Sequence, residues 1–448
     1  MLHAINLADD TAELIETPVS RTFGLTDMYR DFTDATNQHS LEEQLSRLES
    51  RAGRIIDTIR KTFEKGEREV WITRSDRDIL RKFLFVMKYR GSGQQKRFYH
   101  QRAEDYSADD REDLLNFMHE KGFKTPMEVW FHNLKGILEL EMDPKREWMK
   151  KLMNRIYPND AQWYAAHTQM MYLALCTPSD QDEFLLTENA YSIHEGPVSF
   201  TTDPNTNEPI ATSYTEFHVF AVISPKLMMV LRSFLLPLPQ EDSNQEIKSW
   251  RESMYRLNAI QHNEPSSAKS ILEDLPVAKA RNSYTRLVDG RLKLLDGEDG
   301  SPRSYHKFCF RFFPISTEHV NKINCIMLEQ SYNTSKIVFN SRPGVLKTLE
   351  YYLSMPCRGY KPFSFKIVGD APNDPRLVCL KKLEQAAKKL GSNTTAVYQV
   401  EKSKVNEEDE LEALGQMLAK GAPKEPTKIM KLYMRLGKLT TAMKATIY

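Results

Sequence analysis

Apolar positions recur at helical spacing through the first part of the chain. Leu41, Leu45, Leu48, Ala52, Ile55 and Ile59 fall on one face of a single helix. Ser40-Leu-Glu-Glu43 supplies a capping box at its start, and Gly66 follows its end. Ser75 with Asp78 opens a second helix, SDRDILRKFLFVMKYR. Thr125-Pro-Met-Glu128 opens a third, which runs to Met142 before Asp143-Pro144. A fourth, from Asn159 through QWYAAHTQMMYLALC, is apolar almost all round, the pattern of a buried helix, and Pro178 closes it.

The period changes after Glu183. FLLTENAYSI and EFHVFAVI read as strands flanking GPVSFTTDPNTNEPIATS, whose DPNTN supplies turn residues. Phe217, Val219, Ala221 and Ile223 alternate with Phe220 and Val222, so the second strand is apolar on both sides and belongs inside a sheet. Ser224-Pro225 reads as the cap of a helix, KLMMVLRSFLL, and residues 241–280 as helical. TRLVDG, RLKLLDG and YHKFCFRFFPIS form a second strand cluster. Ser316 caps a helix through VNKINCIMLEQ, and SKIVFN is a further strand. Strand, serine and helix thus recur twice, too briefly to define a duplication. The C-terminal part is helical: Asp374-Pro375 opens one helix that Gly391 ends, and NEEDELEALGQMLAKG and TKIMKLYMRLGKLTTAM follow. These patterns predict an α+β fold with a helical N-terminal half, a mostly antiparallel sheet in the middle and a helical C-terminal appendage. The first 38 residues are weakly periodic and read as an arm in which Phe23, Leu25 and Tyr29 could dock. An α+β core is expected over 39–370 and a helical region over 371–448.

Composition narrows the functional classes. The chain has 448 residues, 62 Lys plus Arg against 61 Asp plus Glu, so nucleic acid or anionic lipid could be held only through local patches. No apolar run approaches a membrane span, and the N-terminus MLHAINLADD lacks the pattern of a secretory signal. The five cysteines, Cys176, Cys309, Cys325, Cys357 and Cys379, include no CxxC pair and read as reduced thiols of a cytoplasmic or nuclear protein.

Several segments carry a resemblance: ILRKFLFVMKYRGSGQQKRFYH, KTPMEVWFHNLKGILELEMDP, WYAAHTQMMYLALCTPSDQDEFLLTENAYSIHEGPVSF, EFHVFAVISPKLMMVLRSFLLP and EDLPVAKARNSYT. Over roughly Val70 to Gln330 the chain resembles fungal members of the domain-of-unknown-function family numbered forty-two thirty-eight. The resemblance implies two polar strand ends, here Thr187-Glu188-Asn189-Ala190 and Val222-Ile223-Ser224-Pro225, and carries no activity with it.

Candidate chemistry centres on Glu188, Glu195, Glu216 and His218. With the hairpin turn centred near Asn205 and Thr206, His194 lies opposite Phe217 and Glu195 opposite Glu216. Glu195, Glu216 and His218 then share one face and His194 the other; a one-residue slip would reverse this. The arrangement is open to a paired-carboxylate acid/base site or to a plain hairpin with a hydrogen-bonded histidine. Glu188, if buried, needs a basic partner, for which Lys226 and Arg232 are the candidates. Lys88, Arg90, Lys96, Arg97 and Tyr99, with His100 beside them, could meet phosphates and stack bases, or form a solvated helix end. The tail between Thr427 and Met443 is basic and amphipathic and could bind a protein partner or pack on its own core. No GxSxG, HExxH, phosphate-loop or dinucleotide motif is present, so neither metal nor cofactor is expected. The leading expectation is a non-catalytic interaction or scaffold protein. The alternative is a hydrolase or nuclease-like enzyme with a carboxylate and histidine cleft on the sheet.

Overall fold

The computed structural model describes residues 1–19, 39–202, 209–288, 291–357 and 365–401. Residues 1–400 form one compact unit; of the second unit, 401–448, only Glu401 is described. The expected docking residues Phe23, Leu25 and Tyr29, the DPNTN turn tip and the two last C-terminal helices lie outside the described residues.

The fold is α+β. In chain order, β1 (Leu2–Asn6) and β2 (Leu14–Thr17) form a hairpin. They are followed by α1 (Ser40–Glu64), β3 (Glu69–Thr73) and α2 (Arg74–Tyr89). Next come α3 (Ser92–Phe98), α4 (Arg111–Lys121), α5 (Pro126–Glu139), α6 (Glu147–Arg155) and α7 (Pro158–Gln169). The central stretch holds β4 (Met171–Thr177), β5 (Leu186–Thr187), β6 (His194–Glu195), β7 (Val198–Thr202), β8 (Pro209–Tyr214), β9 (His218–Ser224) and β10 (Leu227–Ser233). Then follow α8 (Pro239–Asp242), α9 (Gln245–Ala259), β11 (Arg281–Asn282), β12 (Thr285–Val288), β13 (Arg291–Leu294) and β14 (Lys307–Pro314). After β14 come α10 (Thr317–Glu329), β15 (Lys336–Phe339), α11 (Arg342–Ser354) and α12 (Pro375–Lys389). No described helix is long and apolar enough to cross a membrane.

The main sheet runs β11-β14-β4-β10-β9-β6, with β3 also paired to β14. The joins are antiparallel except β14 to β4, which is parallel at Phe312↔Leu175. The sheet therefore recruits β3 and β4 from the stretch read as wholly helical. Strand alternation divides its side chains between two cores. Leu173, Leu175, Val219, Ala221, Met229 and Leu231 pack against the helices α1 to α7. Ala174, Cys176, Phe220, Val222, Met228 and Val230 pack against α10, α11, α12 and the smaller sheet containing β1 and β15.

This two-sided burial explains the largest departures from expectation. Every residue of β10 is buried, so the run expected to form a helix after Pro225 is a central strand without polar alternation. The same holds for β4: the fourth expected helix stops at Gln169 and its MYLALC end continues as strand. The N-terminal residues read as an arm are instead a hairpin whose β1 pairs with β15, placing Ile5 opposite Ile337. In α1 the six apolar positions at helical spacing are all buried, and each of the five Leu and Ile side chains is worth on the order of 1.5–3 kcal/mol. Thr125 caps α5 by accepting the Glu128 N–H, while the Glu128 carboxylate takes the Lys124 N–H. Ser316 and Asp374 cap α10 and α12 as their positions imply. At α2 the cap is Thr73, not Ser75: its hydroxyl oxygen accepts the Asp76 N–H where β3 turns directly into the helix.

Candidate functional site

The hairpin holding the candidate residues is irregular at two places. Near its tip the pairing follows the simple register, with Phe200 opposite Ala211 and Thr201 opposite Ile210. Thr212 is then an extra residue, so Ser199 pairs with Ser213 and Val198 with Tyr214. A second shift follows at Gly196, after which Glu195 lies opposite His218 and His194 opposite Val219. Gly196 has φ +156° and an ideal Cβ there would stand 1.7 Å from the Thr215 carbonyl oxygen. Only glycine fits so close an approach of two strands. The register inferred from the turn, with Glu195 opposite Glu216, is thus corrected by two bulges.

The bulges make a cluster on the face toward α10. His218 Nδ1 and Glu195 Oε2 are 2.8 Å apart and both side chains are fully buried. Ser270 donates its hydroxyl to Glu195 Oε2 at 2.9 Å, and the Ile271 N–H donates to Oε1 at 2.8 Å. On the other side of the ring, Arg232 Nη1 is 3.0 Å from His218 Nε2. The guanidinium can only donate, so Nε2 must accept and the ring proton sits on Nδ1, donated to Glu195. Arg232 also donates to the carbonyls of Leu272, Pro237 and Glu273. Burial pushes the His218 pKa down against the pull of Glu195, which keeps the ring neutral.

A second cluster lies on the helical side. Lys88, from α2, pairs with Glu216, just ahead of β9, and both side chains are nearly buried. His167 of α7 and His194 of β6 stand within Coulombic reach of this pair. The Lys88 ammonium lies 5.5 Å from the centre of the Trp163 ring. Burial drives His167 to about 4, with Glu216 acting in the opposite direction. Glu216 is held at about 2: burial would raise it, but Lys88 and the two histidines outweigh burial. The first cluster leaves one buried donor, Arg232 Nε, without a partner; this one leaves more open. Neither ring nitrogen of His167, nor Nδ1 of His194, nor Nε1 of Trp163 makes a well-formed hydrogen bond, and the two histidines have only weak backbone contacts, to Arg81 and Ser192. Among the described residues no group of three or more His, Cys, Asp or Glu side chains is placed to hold a metal ion.

Both clusters lie within residues 2–343, which match the family described as Protein of unknown function (DUF4238). The chain belongs to this family. No curated protein and no solved structure matches it. The family match begins with β1 and ends just inside α11, wider than the Val70 to Gln330 stretch of the resemblance. The pairing of β1 with β15 gives the reason, since the two ends of the matched region close one sheet.

In this family member the four candidate acid/base residues do not converge. Glu195 and His218 meet, Glu216 belongs to the opposite cluster, and Glu188 stands apart. Glu188 is exposed and accepts the N–H and hydroxyl of Ser335, each at 2.8 Å. Its expected partners are engaged elsewhere: Lys226 donates to the Asp180 and Asp182 carbonyls, and Arg232 to the first cluster. The expected phosphate-binding cations are largely neutralised. Lys88 is paired with Glu216, Arg90 with Glu49, and Arg97 with Asp110. Lys96 and Tyr99 are exposed.

Arg97 leads to a third network that local pattern did not reveal. Its Nε donates to the Tyr106 hydroxyl at 2.7 Å, and the hydroxyls of Tyr106 and Tyr157 each donate to Asp110 at 2.8 Å. Asp160 accepts from Tyr89 at 2.6 Å and from Asn133 at 2.8 Å. Burial pushes the Asp160 pKa up, against Arg97, Tyr89 and Asn133. Asp110 and Asp160 come from separate segments and join no motif. The only sequence signal was an acidic residue in the first turn of an apolar helix, for Asp160.

Proposed function

We propose that this protein works by binding rather than by catalysis, as an interaction or scaffold protein. The observation that carries this reading is the saturation of Glu195 and His218. The one lone pair that could make His218 a base is taken by Arg232, and both Glu195 oxygens are occupied by donors from the 270–271 segment. Such a network braces a loop against a sheet and leaves no acid or base for a substrate. The basic, amphipathic sequence from Thr427 to Met443 supports a protein partner. The resemblance of the quoted segments to fungal members of the family and the five free cysteines support a fungal protein of the cytoplasm or nucleus.

Two measurements test the reading. Affinity purification with mass spectrometry, on the intact chain and on one truncated after Pro423, should show a partner lost on truncation while the core stays folded. A screen of ester, phosphodiester and glycoside substrates should show no turnover. Turnover that vanishes in Glu195→Gln or His218→Gln while the thermal midpoint holds would establish the hydrolase or nuclease-like alternative. One observation favours that alternative: the nitrogens beside Lys88 and Glu216 that make no well-formed hydrogen bond. Turnover abolished by Glu216→Gln alone would place the chemistry there.

A further inference from the structure

Three of the four cations in the singled-out stretch are paired, but another basic group is not. A groove of about 550 Å³ opens between α1 and the junction of β3 with α2, lined among others by Arg51, Arg54, Trp71, Ser75, Asp76 and Lys307. Its volume suits a small ligand. Arg51 and Arg54 are one helical turn apart on the exposed side of α1, opposite the buried Leu48, Ala52 and Ile55. Lys307 enters from β14, directly across from Thr73. Among the described residues none of these three cations has a carboxylate within ion-pair distance, whereas Arg60, Lys61, Arg77 and Arg90 do. Asp76 is the one acid in the lining, and it is engaged with the Thr73 hydroxyl at 2.7 Å.

Trp71 decides the ligand class. Val70 and Ile72 point into the helical core, so alternation turns the indole outward, where it stays 44% exposed. An exposed indole has no packing reason to sit among three unpaired cations. As a flat aromatic platform beside positive charge it suits a ligand that is both anionic and aromatic. Arg47, one turn before Arg51, extends the basic row beyond the groove along α1.

We propose that this groove binds a nucleotide, with its phosphates on Arg51, Arg54 and Lys307 and its base stacked on Trp71. The site is independent of the buried clusters and of the reading drawn from them. The same chemistry could come from a free nucleotide or from a residue of a single strand, and two probes separate these sources. Titration calorimetry of the full-length chain with ATP, and with a short oligothymidylate, should show saturable binding. A strand as the natural source would give tighter binding with a steep loss on adding salt; a free nucleotide would favour ATP.

Arg51→Glu combined with Arg54→Glu should weaken either probe by at least about tenfold. Trp71→Ala should weaken ATP severalfold and leave tripolyphosphate unchanged. Neither change touches the buried face of α1, and an unaltered thermal midpoint confirms this. Absence of binding by both probes overturns the proposal. So does ATP binding that survives the charge reversals, or tripolyphosphate binding as tight as ATP and equally indifferent to Trp71→Ala.

Discussion

His194 and Glu195 are neighbours in the chain, yet they end in opposite kinds of polar environment. Glu195 joins His218, Ser270 and Arg232, where nearly every donor has an acceptor. His194 joins Lys88, Glu216 and His167 on the other face of the same strands, where several nitrogens make no well-formed hydrogen bond. Burial is similar on the two sides; bonding is not. A saturated network fixes protonation states and geometry, because any proton that moves breaks a bond. An unsaturated one leaves its ionisation to burial and to neighbouring charge, so it responds to pH and to whatever enters it.

The largest effect should come from the saturated side. Arg232→Met removes a guanidinium that serves His218 and the carbonyls of Leu272, Pro237 and Glu273. Leaving these acceptors buried should cost about 3–5 kcal/mol in denaturant unfolding. A loss under about 1 kcal/mol would show that the network is not a brace, and the contrast between the faces would fail.

On the other face, Lys88→Met should cost about 3 kcal/mol because it strands the Glu216 carboxylate. Adding Glu216→Leu should restore most of that loss, since two apolar side chains can replace a buried ion pair. Failure of the second change to compensate would mean that Lys88 matters through Trp163 packing rather than through charge.

The next effect is in pH. His167 titrates at about 4 in the fold against 6.5 when unfolded, so the unfolded chain binds more protons between those values. Its contribution is present above pH 6.5 and is lost as pH falls toward 4, on the order of 3 kcal/mol in all. Glu216, at about 2 in the fold against 4.5, loses its share only below pH 4.5. Comparing unfolding of the wild type and His167→Phe from pH 7 to pH 4 isolates the histidine. The variant should decline less, and parallel curves would show that His167 keeps its ordinary ionisation.

How far these faces were legible in advance depended on the range of the contacts. Helices with one buried side or a local cap were readable: α1 from its six apolar positions, though its cap is His39 and the capping box expected at Ser40 is not formed, α5 from Thr125 and Glu128, α12 from Asp374. β4 and β10 were not, because a strand buried on both faces has no alternation to read. The place of β1 depended on β15, at the far end of the matched region. At the site, Glu195 and His218 drew attention as residue types, but their contact arises from shifts at Thr212 and Gly196 that no periodicity encodes. Ser270 completes the network from a segment with no sequence signal of chemistry, and Arg232, expected beside Glu188, serves His218 instead.

Glu188 sharpens the comparison from outside both clusters and should show the smallest effect. Its carboxylate accepts two hydrogen bonds from Ser335, but it does so in contact with water. Glu188→Gln keeps an acceptor oxygen and its shape, and solvent can satisfy what the amide cannot. The expected loss is under about 1 kcal/mol in denaturant unfolding at pH 7. The same change at Glu195, made inside the saturated network, places an amide donor among donors already facing the site. It should cost about 2 kcal/mol or more. Equal losses at the two positions would mean that the number of hydrogen bonds sets the cost. Unequal losses in this order would mean that exclusion of water does, and exclusion of water is what separates a brace from a surface contact.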